Sequence, residues 1–264
     1  MNILVCVKQV PDTTEIKIDP VTKTLIRAGV PSILNPFDSY ALEMALRIKD
    51  VSKGRVVVLS MGPTQARNVL KECLSVGADA AYLVSDRAFG GSDTLATSYI
   101  LSCAIDAVEE REGKFDVILC GKQAIDGDTA QVGPEIAEQK NLPQVTCAIE
   151  ISAESQQSLL VKKENETGYQ EIRIHTPCVI TATKPNFELR WPTLRSKIDA
   201  ISAEIPVITA ADIAIDLTRA GLKGSPTKVS RSFTPDMAKN SVQVEGNTAS
   251  DIAQKLVRLM AEII

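Results

Sequence analysis

Through the first 140 residues, short apolar runs alternate with stretches of helical spacing. Residues 3–8, 55–60, 80–84 and 115–120 are runs of strand length with little polar alternation, the pattern of strands buried on both faces. A helix is expected after the first strand, with Asn35 as N-cap, Pro36 at the first position and Asp38 at the third. Phe37, Ala41, Ala45 and Ile48 then share one apolar stripe. Residues 65–76 predict a second helix, with Val69, Leu70 and Leu74 apolar and Gly77 as its stop. A long third helix is expected over residues 93–111 with Ser92 as N-cap. A short fourth opens at Pro134 and runs to Lys140. The order β-α-β-α-β-α-β-α predicts an α/β fold: a mostly parallel sheet with helices on both faces.

After Pro143 the periodicity changes. Residues 144–151, 159–163, 169–175 and 178–182 are short alternating runs separated by Ser, Asn and Gly, and predict an antiparallel extension of the sheet. Residues 15–19 and 24–26, around Pro20, have the look of a small hairpin. Residues 183–192 form an exposed loop with the only tryptophan, Trp191, an amphipathic cluster suited to a partner. Residues 203–246 are rich in Pro, Gly, Ser and Thr and are expected to be a reaching arm. The chain ends in an amphipathic helix over residues 251–264, with Ile252, Leu256, Leu259 and Ile263 on one face. Two parts are therefore expected: a nucleotide-binding α/β domain over 1–200, and over 201–264 an arm and helix that pack on another chain.

Composition narrows the class. Hydrophobic residues are 44% and charged residues 23%, with a net charge of −4. That balance suits a globular protein with a real core and gives no electrostatic footprint for nucleic acid. No signal peptide or membrane span is expected, and a cytoplasmic location fits. The six cysteines are far apart and form no C-x-x-C pair, so metal and disulfide roles are not expected.

The chemistry concentrates in Cys120-Gly-Lys-Gln-Ala-Ile-Asp-Gly-Asp-Thr-Ala-Gln-Val-Gly133, between the fourth strand and the fourth helix. Asp126, Gly127 and Asp128 can be read as no more than a tight turn. The stretch is equally a small-residue loop leading into a helix N-terminus, where backbone N–H groups and the helix dipole hold a phosphate. The loops after residues 7, 60 and 84 should open on the same rim, because ligands of parallel sheets bind at the carboxyl ends of the strands. There is no G-x-G-x-x-G after the first strand, no P-loop and no G-x-S-x-G elbow. The single His175 has no other histidine with which to form a ligand set, and Glu43 and Glu135 are expected to be solvated helix residues. A nucleotide site without a catalytic constellation points to a carrier whose cofactor does the chemistry.

Residues 121–133 resemble the nucleotide loop of the electron-transfer flavoprotein β subunit. Val5-Cys-Val-Lys8, Asn35-Pro-Phe-Asp38 with Ala41 and Glu43, Ser60-Met-Gly-Pro63, the segment from Val161-Lys-Lys to Pro177-Cys-Val-Ile-Thr181, and Arg190, Thr193 and Leu194 are similar to the same family. The resemblance spans about residues 1–200. It implies an adenine-nucleotide-hydrolase type of α/β fold and a heterodimer with an α subunit that carries FAD. One branch of the family binds AMP structurally in the β subunit. In the electron-bifurcating branch that place holds a second FAD, and NADH delivers a hydride beside it. Carried over by position, the nucleotide contacts would be Cys6, Asn35, Pro36, Phe37, Asp38, Met61, Gly121, Lys122, Gln123, Ala124, Ile125, Asp126, Gly127, Asp128, Thr129, Ala130, Gln131 and Val132. Thr129 to Val132 would offer phosphate N–H groups. Gly90, Gly91, Ser92, Asp93, Thr94 and Thr97 would form the surface for NADH.

The resemblance further implies that residues 183–191 dock on acyl-CoA dehydrogenases or related flavoenzymes, and that ferredoxin or flavodoxin accepts low-potential electrons. The small residues in Thr129-Ala-Gln-Val-Gly-Pro134, together with Asp38, favour the bifurcating branch over AMP. A non-redox adenine-nucleotide binder of the universal-stress type is the alternative from another class, against which residues 144–194 and the arm weigh.

Overall fold

The computed structural model describes residues 1–12, 31–155, 157–230 and 242–261. The chain divides into two units, Met1–Glu15 with Arg27–Ser230, and Ile16–Ile26 with Arg231–Ile264. The hairpin expected over residues 15–26 lies outside the described residues.

The first unit runs β1 (Asn2–Cys6), β2 (Gln9–Pro11), β3 (Ser32–Leu34), α1 (Pro36–Ser52), β4 (Arg55–Met61), α2 (Arg67–Val76), β5 (Ala80–Val84), α3 (Thr94–Glu112), β6 (Val117–Gly121) and α4 (Val132–Gln139). It continues with β7 (Gln144–Ala153), β8 (Ser158–Asn165), β9 (Gly168–His175), β10 (Cys178–Ala182), α5 (Leu194–Ser202), β11 (Val207–Ile208) and α6 (Gly221–Gly224). Nine strands form one sheet in the order β11-β5-β4-β1-β6-β10-β7-β8-β9, while β2 and β3 pair separately. All neighbours from β11 to β7 are parallel; β7, β8 and β9 are antiparallel.

Successive strand residues point to opposite faces, and both faces are buried. Ile3 and Val5 enter one core with Met44 and Leu46 of α1 and Leu70 of α2. Leu4 and Cys6 enter the other, with Ile100 and Ile105 of α3 and Ile136 of α4. This is the α/β class expected from the run pattern.

Several local expectations are corrected. The run 178–182 is not part of the antiparallel extension: β10 lies parallel between β6 and β7, with all five residues buried. A strand covered on both faces reads as a continuous apolar run, and Cys178-Val-Ile-Thr-Ala182 has that character. Pro134 is the third residue of α4, not its first. The N-cap of α3 is Asp93, whose carboxylate accepts from the Ala96 N–H at 3.0 Å. Ser92 instead accepts from the Gly221 N–H at 3.1 Å.

The segment expected as an arm is built into this unit as far as Ser230. β11 adds to the edge of β5, and Ile205, Ile208, Ala220 and Ser225 are buried. In the second unit, α7 (Ala249–Ala261) is amphipathic and has no buried residue; Ile252 and Leu256 are exposed on the expected face. Ile263 lies outside the described residues. No helix of the described residues is long and apolar enough to cross a membrane.

Candidate functional site

From β1 the sheet grows one way through β4 and β5 and the other way through β6 and β10. The carboxyl ends of β1 and β6 therefore flank the point where strand order reverses, the position of ligand crevices in open parallel sheets. Cys6 and Cys120 face each other there in register. The Cys120 thiol is pushed well above its usual range by its hydrogen bond with Cys6 and by burial.

Just above this pair, the first turn of α1 is sewn to both strand ends. The buried Asp38 carboxylate accepts from the Lys8 N–H at 2.7 Å and the Gly121 N–H at 3.1 Å. Burial raises its pKa from 3.8 to about 7, against the pull of these bonds and of Asn35. Asn35, also buried, does not cap α1 with its side chain as expected. Its Nδ2 donates to the Gln123 carbonyl at 2.8 Å, and its Oδ1 accepts from the Ile125 N–H at 3.2 Å. The residue holds the loop after β6 instead of its own helix, because that loop's buried backbone groups need partners.

The loop then turns tightly. The Ala124 carbonyl accepts from the N–H groups of Gly127 (3.2 Å) and Asp128 (2.8 Å). Asp126 pairs with Lys8 Nζ at 2.7 Å, and Asp128 Oδ1 accepts from Gln123 Nε2 at 2.7 Å. Both carboxylates are thus already paired, Asp126 with Lys8 from just beyond β1 and Asp128 within the loop, which removes the objection they raise to a phosphate. Asp128 and Ala130 have φ of 50° and 55° with Thr129 between them. Left-handed residues alternating with ordinary ones turn successive N–H groups toward one side, an anion-binding nest. For alanine this conformation costs about 1–2 kcal/mol and recurs at ligand clamps. The first-turn amides of α4 follow directly and have no partners within the helix.

Of the residues expected at the site, Cys6, Asn35, Pro36, Phe37, Asp38 and residues 121–132 gather around this rim; Met61 ends β4, two strands from β6. Residues 90–94 are engaged differently. Leu222 packs where a Gly91 side chain would be, the Asp93 N–H donates to Ser225 Oγ at 2.9 Å, and Asp93 Oδ2 accepts from the Thr227 N–H (3.0 Å) and hydroxyl (2.8 Å). Only Thr94 turns to the loop, its hydroxyl 3.1 Å from Gln131 Oε1 and 3.2 Å from Glu135 Oε1. Thr97 is half-buried one turn further along α3. A recess of about 340 Å³ between α3 and residues 218–226 shares no lining with the rim.

Sequence reasoning missed three contributors: Lys8, the Thr94–Glu135 contact and the segment 221–227 on the α3 N-terminus. A lysine directly after a buried central strand was the one local signal for the first. Two carboxylates expected in solvent are not there. Glu135 is half-buried, and burial raises its pKa. Glu43 is 4% exposed and pairs with Arg47 (2.9 Å) and Arg190 (2.8 Å).

The model of the electron transfer flavoprotein domain matches residues 22–213. The electron transfer flavoprotein subunit beta of Megasphaera elsdenii is 51% identical over 270 residues, covering all of both chains. This chain belongs to the electron transfer flavoprotein family. Within that family the chain is also similar to the caffeyl-CoA reductase-Etf complex subunit CarD of Acetobacterium woodii, at 47% identity over 99% of this chain and 98% of the relative. The protein FixA of Azorhizobium caulinodans is 42% identical over 96% of this chain and 90% of its own length. An electron transfer flavoprotein β chain works in electron transfer, and the family associates with a flavin or AMP.

Proposed function

We propose that the chain is the β subunit of an electron-bifurcating electron transfer flavoprotein, paired with an α subunit, and that the rim around residues 121–132 holds FAD. The observation that carries this is the left-handed Ala130 beside two aspartates whose carboxylates are already paired, Asp126 with Lys8 and Asp128 with Gln123. Strain at an alanine, kept without any side-chain bond, leaves the N–H groups of residues 129–133 turned toward a phosphate. The small side chains of Ala130 and Val132 leave more room beside that phosphate than bulkier residues would, which favours FAD over AMP. The similarity to a reductase-Etf complex subunit supports the same reading.

When bound, the FAD would take a hydride from NADH and send one electron to ferredoxin or flavodoxin, the other through the α-subunit FAD to an acyl-CoA dehydrogenase or related flavoenzyme. The chain's own part is positional. Asn35 and Asp38 fix the loop against the strand ends, and Lys8 neutralises Asp126 so that the loop's net field favours an anion. The first turn of α4 adds its dipole. In this reading the residue 183–191 loop carries Trp191 to the dehydrogenase, and the apolar face of α7 packs on the α subunit.

Counting flavins in the purified heterodimer tests the proposal. Two FAD per dimer are expected, together with anaerobic bleaching by NADH when no dehydrogenase is present. One FAD and one AMP, or no bleaching, would sink it. A colourless single chain that binds ATP or AMP would point to the universal-stress alternative.

A further inference from the structure

The loop that carries Trp191 begins where β10 ends and could swing freely, since Trp191 itself is 89% exposed. It is instead fastened to the middle of α1. The Glu43 carboxylate accepts from the Arg190 N–H at 3.2 Å and from Arg190 Nε at 2.8 Å and Nη2 at 3.3 Å. Its other partner is Arg47 Nε at 2.9 Å. Arg190 Nη2 also reaches Asp50 at 2.8 Å. Arg47 in turn lies over the Phe187 ring at 3.7 Å and donates to the Glu188 carbonyl at 3.4 Å.

Two guanidiniums and two carboxylates thus balance in charge, and one buried carboxylate holds both the side chain and the backbone of Arg190. Charge-assisted bonds to a buried carboxylate are the strong kind, and losing one partner leaves the others uncompensated. Nothing in the nucleotide site needs this cluster: the first turn of α1 serves the rim, and Glu43 lies beyond it.

We infer that Glu43 is the positioning residue of the 183–191 loop and sets how well that loop docks on the dehydrogenase. The inference rests on the docking part of the proposed function. Ordering the loop before it meets a partner removes the entropy of ordering it on binding, so the effect falls on association and not on the electron-transfer step.

The test uses Glu43→Gln and Glu43→Asp in the full chain and in the heterodimer with its flavins. In the full chain, Trp191 is the sole tryptophan, so fluorescence anisotropy and acrylamide quenching read the loop directly. Glu43→Gln is expected to lower the anisotropy and raise quenching, with Glu43→Asp in between. With an acyl-CoA dehydrogenase as acceptor, Glu43→Gln is expected to raise KM for the dehydrogenase about tenfold at unchanged kcat and flavin content. Glu43→Asp should recover part of it.

Unchanged anisotropy would show that Glu43 does not hold the loop. Lower anisotropy with unchanged KM would overturn the docking role of the anchor. Trp191→Ala separates this from the parent reading: if that variant also leaves KM unchanged, the loop is not the docking element at all. Should Glu43→Gln fail to fold, Arg190→Gln removes the same anchor from its more exposed end, and the same outcomes decide.

Discussion

Gly121 ends the central strand β6 directly against the first turn of α1, and the structure specifies the consequence of giving it a side chain. A methyl group there would lie 2.7 Å from the Phe37 carbonyl carbon and 2.8 Å from the Asp38 nitrogen, and closer still to Asp38 Oδ1. These are backbone atoms and a buried carboxylate with no freedom to turn away. Gly121 does not have a positive φ, so the cost of Gly121→Ala is purely steric and not conformational. Overpacking of this kind costs about 1–3 kcal/mol. The strand end must also retreat from Asp38, stretching a bond that at pH 8, where this carboxyl is ionised, is worth about 1.5–3 kcal/mol. Together the loss is about 4 kcal/mol, a large part of the roughly 5–15 kcal/mol that stabilises a domain.

Gly127, six residues on in the same loop, is the control. A methyl group there meets nothing within 4 Å, so Gly127→Ala should be neutral or stabilise by about 0.4–1 kcal/mol through the unfolded chain. Urea unfolding of both variants at pH 8 is the assay. With a slope of roughly 3 kcal/mol/M, Gly121→Ala should lower the midpoint by about 1.3 M, while Gly127→Ala leaves it within about 0.3 M. If the two midpoints agree, the close approach of β6 to α1 is not what holds the rim, and the reasoning fails.

Three further outcomes follow from the same geometry. Because the Asp38 pKa rises from 3.8 to about 7 through burial, the folded chain keeps a proton that the unfolded chain releases. Its contribution to stability is complete below pH 4 and is lost as pH rises through 7, about 4 kcal/mol in all by linkage. Asp38→Asn should flatten the stability–pH curve over that window; an identical slope in both proteins refutes the assignment. Lys8→Gln should cost about 1 kcal/mol or less in stability, since Lys8 and Asp126 are 48% and 28% exposed. It should nevertheless reduce nucleotide retained through gel filtration, because Asp126 then stands unneutralised in the loop proposed to hold a phosphate; equal retention would count against the loop. Burial pushes up the thiols of Cys73 and Cys178 and, with its Cys6 partner, that of Cys120. Iodoacetamide at pH 8 should therefore modify the half-buried Cys147 well before these three, as read by peptide mass. Labelling of Cys120 at the rate of Cys147 would contradict the buried pair at the crevice floor.

The residue 121–133 stretch was legible as a strand, loop and helix start, because each part depends on neighbours in sequence. What holds it in place was not. Asn35 scores as a helix cap by type and position, yet its amide satisfies a loop 88 and 90 residues away. Glu43 looks like a solvent residue on a helix, and only the return of Arg190, 147 residues later, makes it a buried anchor. Residues 90–94 look open in sequence, but residues 221–227 use their polar groups, a pairing that local composition does not express.

Apolar periodicity alone settled the alternating strands and helices, the parallel sheet with two covered faces, and the crevice at the end of β6, since these follow from which side chains leave water. Folding over long separations settled the rest: β10 slipping between β6 and β7, residues 203–230 closing onto the sheet edge, and which carboxylates face Lys8, Gln123 and Arg190. Burial is encoded residue by residue, whereas a hydrogen bond between distant segments exists only once the chain has brought both ends to one place.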